Sequence, residues 1–159
     1  MSVTEQLYAK LERTKDDAVK AFIKKCLETT EEESLVNDDI YISRKNQKIT
    51  YENRSIASLS RLIEFKHISN EELAAVLQYG KNRICNIRQG KVIPRKAELA
   101  EICIALELSE FTISKLLDAF EYTYCINDNL IDRSLHYVIH SSDRSSIESR
   151  IKMFRTMIN

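Results

Sequence analysis

The positions of the helix-breaking residues constrain the fold of this chain more than any other feature of its sequence. The 159 residues include two glycines and one proline, and Gly80, Gly90 and Pro94 all lie within 15 consecutive residues. Glycine and proline are the residues least favourable in a helix interior, so their scarcity favours helix over most of the chain. We therefore predict a mainly α-helical protein whose sharpest local turns lie between residues 80 and 94.

Charge is distributed unevenly along the chain. The formal net charge is zero, but residues 54–96 carry nine basic and three acidic side chains, a net +6, while residues 1–53 carry −2 and residues 97–159 carry −4. From residue 73 to residue 97 there are six bases and no acid. A one-signed stretch inside a neutral chain is typical of a phosphate-binding face, although a solvated helix surface that is basic by chance would look the same.

Residues 54–122 have the apolar periodicity of five successive helices. The first starts at Arg54, with Asn53 or Ser55 as its cap. Ser69 and Glu72 form a capping box that opens a short second helix, and a third runs from Lys81 to Gln89 and is closed by Gly90. Pro94 precedes the fourth, and Ser109 caps the fifth. The residues predicted to face inward are Ile56, Leu59, Leu62, Ile63 and Phe65 in the first helix, Leu73, Ala74 and Leu77 in the second, and Ile84 and Ile87 in the third. They are Leu99, Ile102, Cys103 and Leu106 in the fourth helix, and Phe111, Ile113, Leu116, Leu117 and Phe120 in the fifth.

The two flanking segments give a coarser pattern. Residues 3–28 predict one long amphipathic helix capped by Ser2 or Thr4, and the runs IYIS and KITY around RKNQ in residues 35–53 predict either a β-hairpin or an extended linker. Residues 123–159 predict two further helices, one capped by Asn127 or Asp128 with Leu130 among its inward residues, the other started by Ser142 or Ser145. The expected organisation is an N-terminal segment 1–53, a helix-turn-helix domain 54–122 and a C-terminal helical extension 123–159.

The run SNEELAAVLQYGKNRICNIRQGKVIP, residues 69–94, resembles the helix-turn-helix core of the Cro/repressor (Xre-like) family of bacterial and phage transcription regulators. The alignment needs no gap: Glu72-Leu73-Ala74 and Leu77 match the family's first motif helix, Ile84 and Ile87 its inward recognition-helix positions, and Gly90-Lys91 and Pro94 the following loop. The resemblance covers residues 55–108, and residues 108–122 are similar to a fifth-helix extension of many Firmicute members. It implies a five-helix DNA-binding domain.

The turn before the recognition helix departs from the family pattern. Gln78 stands where the family usually has glycine, and Gly80 stands where it has a serine or threonine cap. Two solutions are open: Gln78 adopts a left-handed conformation, or the turn is reshaped around Gly80.

The outward face of the Lys81–Gln89 helix is rich in amides and has a basic rim. A helical wheel centres that face on Asn82 and Gln89, with Cys85 and Asn86 beside them. Asn and Gln can pair with adenine, and Lys and Arg with guanine or phosphate. By resemblance Lys81, Asn82 and Asn86 fall where the family contacts bases, and Asn70 where it contacts a phosphate; Arg83 and Lys91 are further phosphate candidates. The alternative is an ordinary surface, in which Arg88 pairs with Glu64 or Glu72.

No pattern in the sequence argues for catalysis. There is no Gly-rich phosphate loop and no GxSxG, and the four cysteines are scattered without a CxxC pair. His136 and His140 have the i, i+4 spacing of metal ligands on a helix, but the residues between them lack the glutamate of a zincin motif. We therefore expect no enzyme activity, no cofactor and no metal.

The sequence as a whole predicts a transcriptional regulator, for example a repressor, that binds double-stranded DNA sequence-specifically and acts by occupying its operator. We expect a homodimer, because two copies would bind half-sites about 34 Å apart. The polar N-terminus and the absence of a long apolar run predict a cytoplasmic protein without a membrane segment. Two alternatives remain: a helix-turn-helix fold used as a protein-binding adaptor or inhibitor through its flanking helices, or the antitoxin of a toxin–antitoxin pair.

Overall fold

A computed structural model describes residues 2–36, 51–141 and 146–159, without the side chains of residues 51–54. The described residues form nine α-helices and no strand, which confirms the mainly α class. The predicted hairpin falls on residues that are almost all outside the described ranges. The helices are α1 (Val3–Arg13), α2 (Asp17–Ser34), α3 (Tyr51–Phe65), α4 (Asn70–Leu77), α5 (Arg83–Arg88), α6 (Lys96–Ala105), α7 (Glu110–Ala119), α8 (Leu130–His140) and α9 (Ile147–Ile158).

The single N-terminal helix predicted over residues 3–28 is wrong, because the chain forms two helices there. Ser2 caps α1 in a capping box with Glu5, and α1 ends at Thr14, which has extended backbone angles. Asp16 then begins α2 by accepting hydrogen bonds from the backbone N–H groups of Ala18 and Val19. The Asp16 cap favours the start of a new helix over continuation of α1, because its carboxylate accepts hydrogen bonds from backbone N–H groups that the first turn of a helix leaves unpaired.

The boundaries of α3, α8 and α9 also differ from those predicted. Helix α3 already begins at Tyr51, so Ser55 lies buried inside the helix instead of capping it. Asn129, and not Asn127 or Asp128, caps α8, and Ser146, and not Ser142 or Ser145, caps α9. At α8 and α9 the cap position follows from hydrogen-bond geometry, because the capping side chain accepts a backbone N–H three residues later.

Helix α6 lies at the centre of the fold. Every residue from Leu99 to Leu106 is buried, and α4, α7, α8 and α9 all pack against this helix. The predicted inward residues of α4, α5 and α6 are confirmed, as are Ile113, Leu116 and Leu117 of α7. Because α8 and α9 bury Leu135, Val138, Ile151 and Phe154 in the same cluster, the C-terminal residues complete the core to which α3–α7 contribute.

Two predicted inward residues lie at the surface. Phe111 on α7 and Leu130 at the start of α8 are 52% and 60% exposed. Both are in the first turn of a helix.

Within the described ranges, four residues other than glycine take left-handed backbone conformations, each where the chain leaves a helix: His67, Gln78, Glu107 and Glu121. After α6, the N–H of Leu108 bonds to the carbonyl of Cys103 and that of Glu107 to Ile104, which is the Schellman pattern. The same pair of bonds closes α4, α5 and α7. Three of these four helix ends therefore have a polar residue in the left-handed position, and α5 has Gly90 there.

None of the helices in the described ranges combines the length and apolar character that a membrane span requires.

Candidate nucleic-acid interface

The segment that the sequence predicts to be a helix-turn-helix consists of α4, α5 and the turn between them, and its geometry is fixed from both ends of α4. The Ser69 hydroxyl accepts the Glu72 N–H at 3.1 Å, and the Glu72 carboxylate accepts the Ser69 N–H, so the predicted capping box is confirmed. At the other end, Gln78 has φ 57° and ψ 38°, which is the first of the two solutions left open by the sequence. The turn therefore keeps its left-handed position and tolerates a side chain there.

Helix α5, the predicted reading helix, is shorter than the sequence indicated. Its helical residues are Arg83–Arg88 rather than Lys81–Gln89, with Lys81 and Asn82 in the preceding turn. Asn82 is the N-cap and makes no side-chain capping bond. Gly80, predicted to cap this helix, lies two residues before that cap, and an added Cβ there would meet no atom within 4 Å. At the C-terminal end, the left-handed φ of 76° at Gly90 closes the helix as predicted.

The inner side of α5 is held in the core while the outer side faces solvent. Ile84 and Ile87 are each 1% exposed. The three predicted base contacts lie away from them: Lys81 and Asn82 are exposed, and Asn86 is half-buried. Gln89, also exposed, donates a hydrogen bond from its amide to the Cys85 sulfur at 3.3 Å.

A buried polar cluster anchors the turn before α5 to the rest of the protein. The Tyr79 hydroxyl donates to Glu101 of α6 at 2.6 Å, and Arg155 of α9 pairs with the same carboxylate at 2.9 Å. Arg155 also donates to the carbonyl of Leu77. Burial, followed by the hydrogen bond to Glu101, raises the pKa of Tyr79, so its hydroxyl remains a donor.

Arg83, a predicted phosphate contact, is engaged by an acid from the next helix. Its guanidinium donates to both oxygens of Glu98 through Nε and Nη2, at 3.0 and 2.8 Å. Arg95 donates to the same carboxylate through its side chain and its backbone N–H. Burial works against ionisation of Glu98, but these hydrogen bonds outweigh it and lower the pKa of the carboxyl.

Asn70 of α4, which was also predicted to contact a phosphate, lies in a network of hydrogen bonds around Arg88. Arg88 donates to the side-chain oxygen of Asn70 at 2.8 Å and to the hydroxyl of Ser60 at 3.2 Å, and it pairs with Glu64 at 3.1 Å. The alternative in which Arg88 pairs with Glu64 is thus the one observed. Arg88 of α5 therefore orients the Asn70 side chain and links the start of α4 to α5.

Most of the basic side chains in the acid-free stretch, residues 73–97, pair with acidic residues that lie outside it in the sequence. Arg83 and Arg95 pair with Glu98, Arg88 pairs with Glu64, and Lys96 pairs with the buried Asp132 at 3.0 Å. Within the described part of the chain, Lys81 and Lys91 make no ion pair, and both are exposed. These two lysines are therefore the cations most available to a phosphate.

Sequence reasoning missed the pairing of Glu98 and Asp132 with this stretch. The i, i+3 spacing of Arg95 and Glu98 was a usable signal, but 36 residues separate Lys96 from Asp132. No protein-family model, curated protein or solved structure matches this chain significantly. Any function of the surface around α4 and α5 therefore has to be inferred from the residues of this chain.

Proposed function

We propose that this protein is a sequence-specific regulator that binds double-stranded DNA by inserting α5 into the major groove and acts by occupying its operator. The observation that carries the proposal is the division of α5. Ile84 and Ile87 fix its inner side in the core, while Asn86 lies on its outer side and Lys81 and Asn82 are exposed in the turn that precedes it. Such a helix is held rigidly and presents hydrogen-bonding groups outward, as a major-groove reading helix requires.

The outward residues divide into two roles. Asn82 and Asn86 are suited to bidentate bonds with adenine, and Lys81 to guanine or a phosphate. Lys91 follows the left-handed end of α5 and has no acidic partner within the described ranges, so we assign it to a phosphate. A bidentate base contact contributes about 1–3 kcal/mol of discrimination against the wrong base.

Arg83 and Asn70 would contact phosphates only by exchanging partners. Arg83 must replace part of its bidentate pairing with Glu98, and Asn70 must share its side chain between Arg88 and DNA. Each exchange offsets part of the gain from the new contact. We therefore assign the larger share of phosphate binding to Lys81 and Lys91.

Two copies acting on half-sites about 34 Å apart would multiply these few contacts, and we propose a homodimer for that reason. Sedimentation of the full chain with and without operator DNA tests the stoichiometry.

The DNA proposal is tested by binding of the full chain to duplex DNA across a range of salt concentrations. Neutralised phosphates release counterions, so log K should fall linearly with log salt, with a slope of about −0.9 per phosphate contact. Lys81→Ala and Lys91→Ala should each reduce that slope by about one contact per bound copy of the chain. Lys152→Ala, an exposed lysine of α9, is the matched control and should leave it unchanged. An affinity for duplex DNA that does not change with salt concentration would contradict the proposal.

A second function, binding of a partner protein through the flanking helices, is favoured by a different observation. Helix α1 contributes no buried residue and packs mainly against α2. Val3, Tyr8, Val19 and Phe22 leave large apolar side chains exposed on this helix pair, with Phe22 at 68%. An adaptor, an inhibitor or an antitoxin would use such a surface. Phe22→Ser should abolish that binding while leaving DNA binding by a regulator intact.

A further inference from the structure

Helices α7 and α8 bring together three side chains that can ligate a metal. Glu110 is the first residue of α7, and His136 and His140 lie one turn apart on α8. The Nδ1 of His136 is 2.7 Å from one Glu110 oxygen, and the Nε2 of His140 contacts the other. One ligand atom from each residue lies within 4.8 Å of the other two. The separations of 26 and 30 residues explain why the histidine spacing alone did not reveal the carboxylate.

We propose that Glu110, His136 and His140 bind one divalent transition-metal ion, with Zn²⁺ as the preferred occupant. Two imidazoles and one carboxylate suit zinc and its neighbours, whereas Ca²⁺ and Mg²⁺ favour sites made of oxygen ligands. A set of two histidines and one glutamate leaves the fourth zinc position open to water. The inference is independent of DNA binding and departs from the expectation of no metal that we drew from the sequence.

The distances allow coordination after small side-chain movements. Tetrahedral zinc with bonds of about 2.0–2.2 Å needs ligand atoms about 3.3–3.5 Å apart. The 2.7 Å separation between Glu110 and His136 must therefore lengthen, and any separation near the 4.8 Å limit must shorten. All three side chains are partly exposed, which leaves them room to adjust and gives solvent access to the fourth position.

Neighbouring groups hold the carboxylate in place. The Tyr124 hydroxyl donates to Glu110 at 3.0 Å, the kind of outer contact that orients a metal ligand. Ser109 caps α7 and fixes the backbone of its first residue.

A bound ion would cross-link the start of α7 to α8. Both helices pack against α6, so the ion would join two elements that the core already holds close together. Occupancy is therefore expected to stabilise the folded chain, because the ion binds the assembled site and not the separated ligands.

The test is titration of the full chain with Zn²⁺ and with Co²⁺, followed by calorimetry and by the visible absorption of cobalt. One ion per chain is expected, with a rise in Tm and with cobalt bands typical of nitrogen and oxygen ligands. His136→Gln and His140→Gln should each weaken binding by more than the ~10–100-fold that loss of an outer hydrogen bond costs, and Tyr124→Phe should fall within that range.

The third histidine of the chain provides the matched control. His67 is exposed and left-handed, so His67→Asn preserves its backbone and should bind zinc like the parent chain. Circular dichroism without metal checks that the variants fold, and His140, 52% exposed, is the histidine whose loss perturbs packing least. The proposal is overturned if no ion binds stoichiometrically, if His140→Gln binds as tightly as the parent, or if cobalt shows thiolate charge-transfer bands that assign the ion to cysteines.

Discussion

Arg155 of α9 and Glu101 of α6 form an ion pair at 2.9 Å beside the turn that leads into α5. Arg155 also donates to the carbonyl of Leu77, the last residue of α4. Residues from the C-terminal segment therefore hold the element that the DNA proposal places in the groove. The C-terminal helices therefore help to position the turn before α5. Their sequence, unlike that of residues 55–108, did not indicate this role.

Removing Arg155 should destabilise the protein. Arg155→Ala leaves Glu101, 10% exposed at its side chain, without its cationic partner and the Leu77 carbonyl without a donor. Hydrogen bonds to charged groups contribute about 1.5–3 kcal/mol, so we expect the free energy of unfolding to fall by about 2 kcal/mol in urea denaturation. Lys152→Ala on the exposed face of α9 should change it by less than about 0.5 kcal/mol. Equal effects of the two changes would mean that the ion pair does not anchor α9.

Gln78→Gly should stabilise the protein. A left-handed conformation costs a residue with a Cβ about 1–2 kcal/mol, and the greater flexibility of glycine in the unfolded chain returns about half of that, so a net gain of about 0.5–1 kcal/mol is expected. Gln89→Gly is the control, since Gln89 is also an exposed glutamine at a helix end but has a right-handed φ of −85°. Thermal and urea unfolding should show opposite signs for the two changes; stabilisation by both would refute the conformational argument.

The stabilising contribution of Glu98 should depend on pH. The folded pKa of this carboxyl lies below its usual value of 4.5, so its contribution is fully present above 4.5 and is lost as the pH falls through the folded pKa. Glu98→Gln should therefore cost about 1–2 kcal/mol at pH 7 and progressively less below pH 4.5. Glu12→Gln, on the exposed surface of α1, is the control. A cost that stayed constant down to pH 2 would exclude the charge as its origin.

The same substitution should strengthen DNA binding. Glu98→Gln removes the carboxylate that pairs with Arg83 and Arg95, which makes both guanidinium groups available to phosphates. Affinity for duplex DNA at low salt should rise several-fold, and the salt slope should steepen by about one contact. Fluorescence anisotropy measures both quantities. Weaker binding by a folded Glu98→Gln would instead show that Glu98 positions Arg83 for its contact.

The inward residues of α4, α5 and α6 were predictable because helical periodicity is a local property of the sequence. Ile84 and Ile87 lie three residues apart between two glycines, and their burial follows from that spacing alone. The break between α1 and α2 was less visible, since apolar residues continue at helical spacing across it and Asp16 is one polar residue among several.

Long-range polar pairing could not be predicted. Nothing in the neighbourhood of Lys96 points to Asp132, and nothing near His136 points to Glu110, because these pairs meet only when α6, α7 and α8 pack together. The same reason explains the acid-free stretch: its charge is unbalanced in sequence but largely paired in space. Left-handed ends at Glu107 and Glu121 were missed because glycine is the usual signal for them.

The central claim, that α5 reads DNA sequence, is tested most directly by selection from random duplex DNA with the parent chain and with Asn86→Ala in parallel. We predict that the parent enriches a defined motif and that Asn86→Ala relaxes one position of it. Lys91→Ala should weaken binding to selected and unselected duplexes about equally. Selection that yields no motif, or a motif that Asn86→Ala leaves unchanged, would contradict the proposed role of α5.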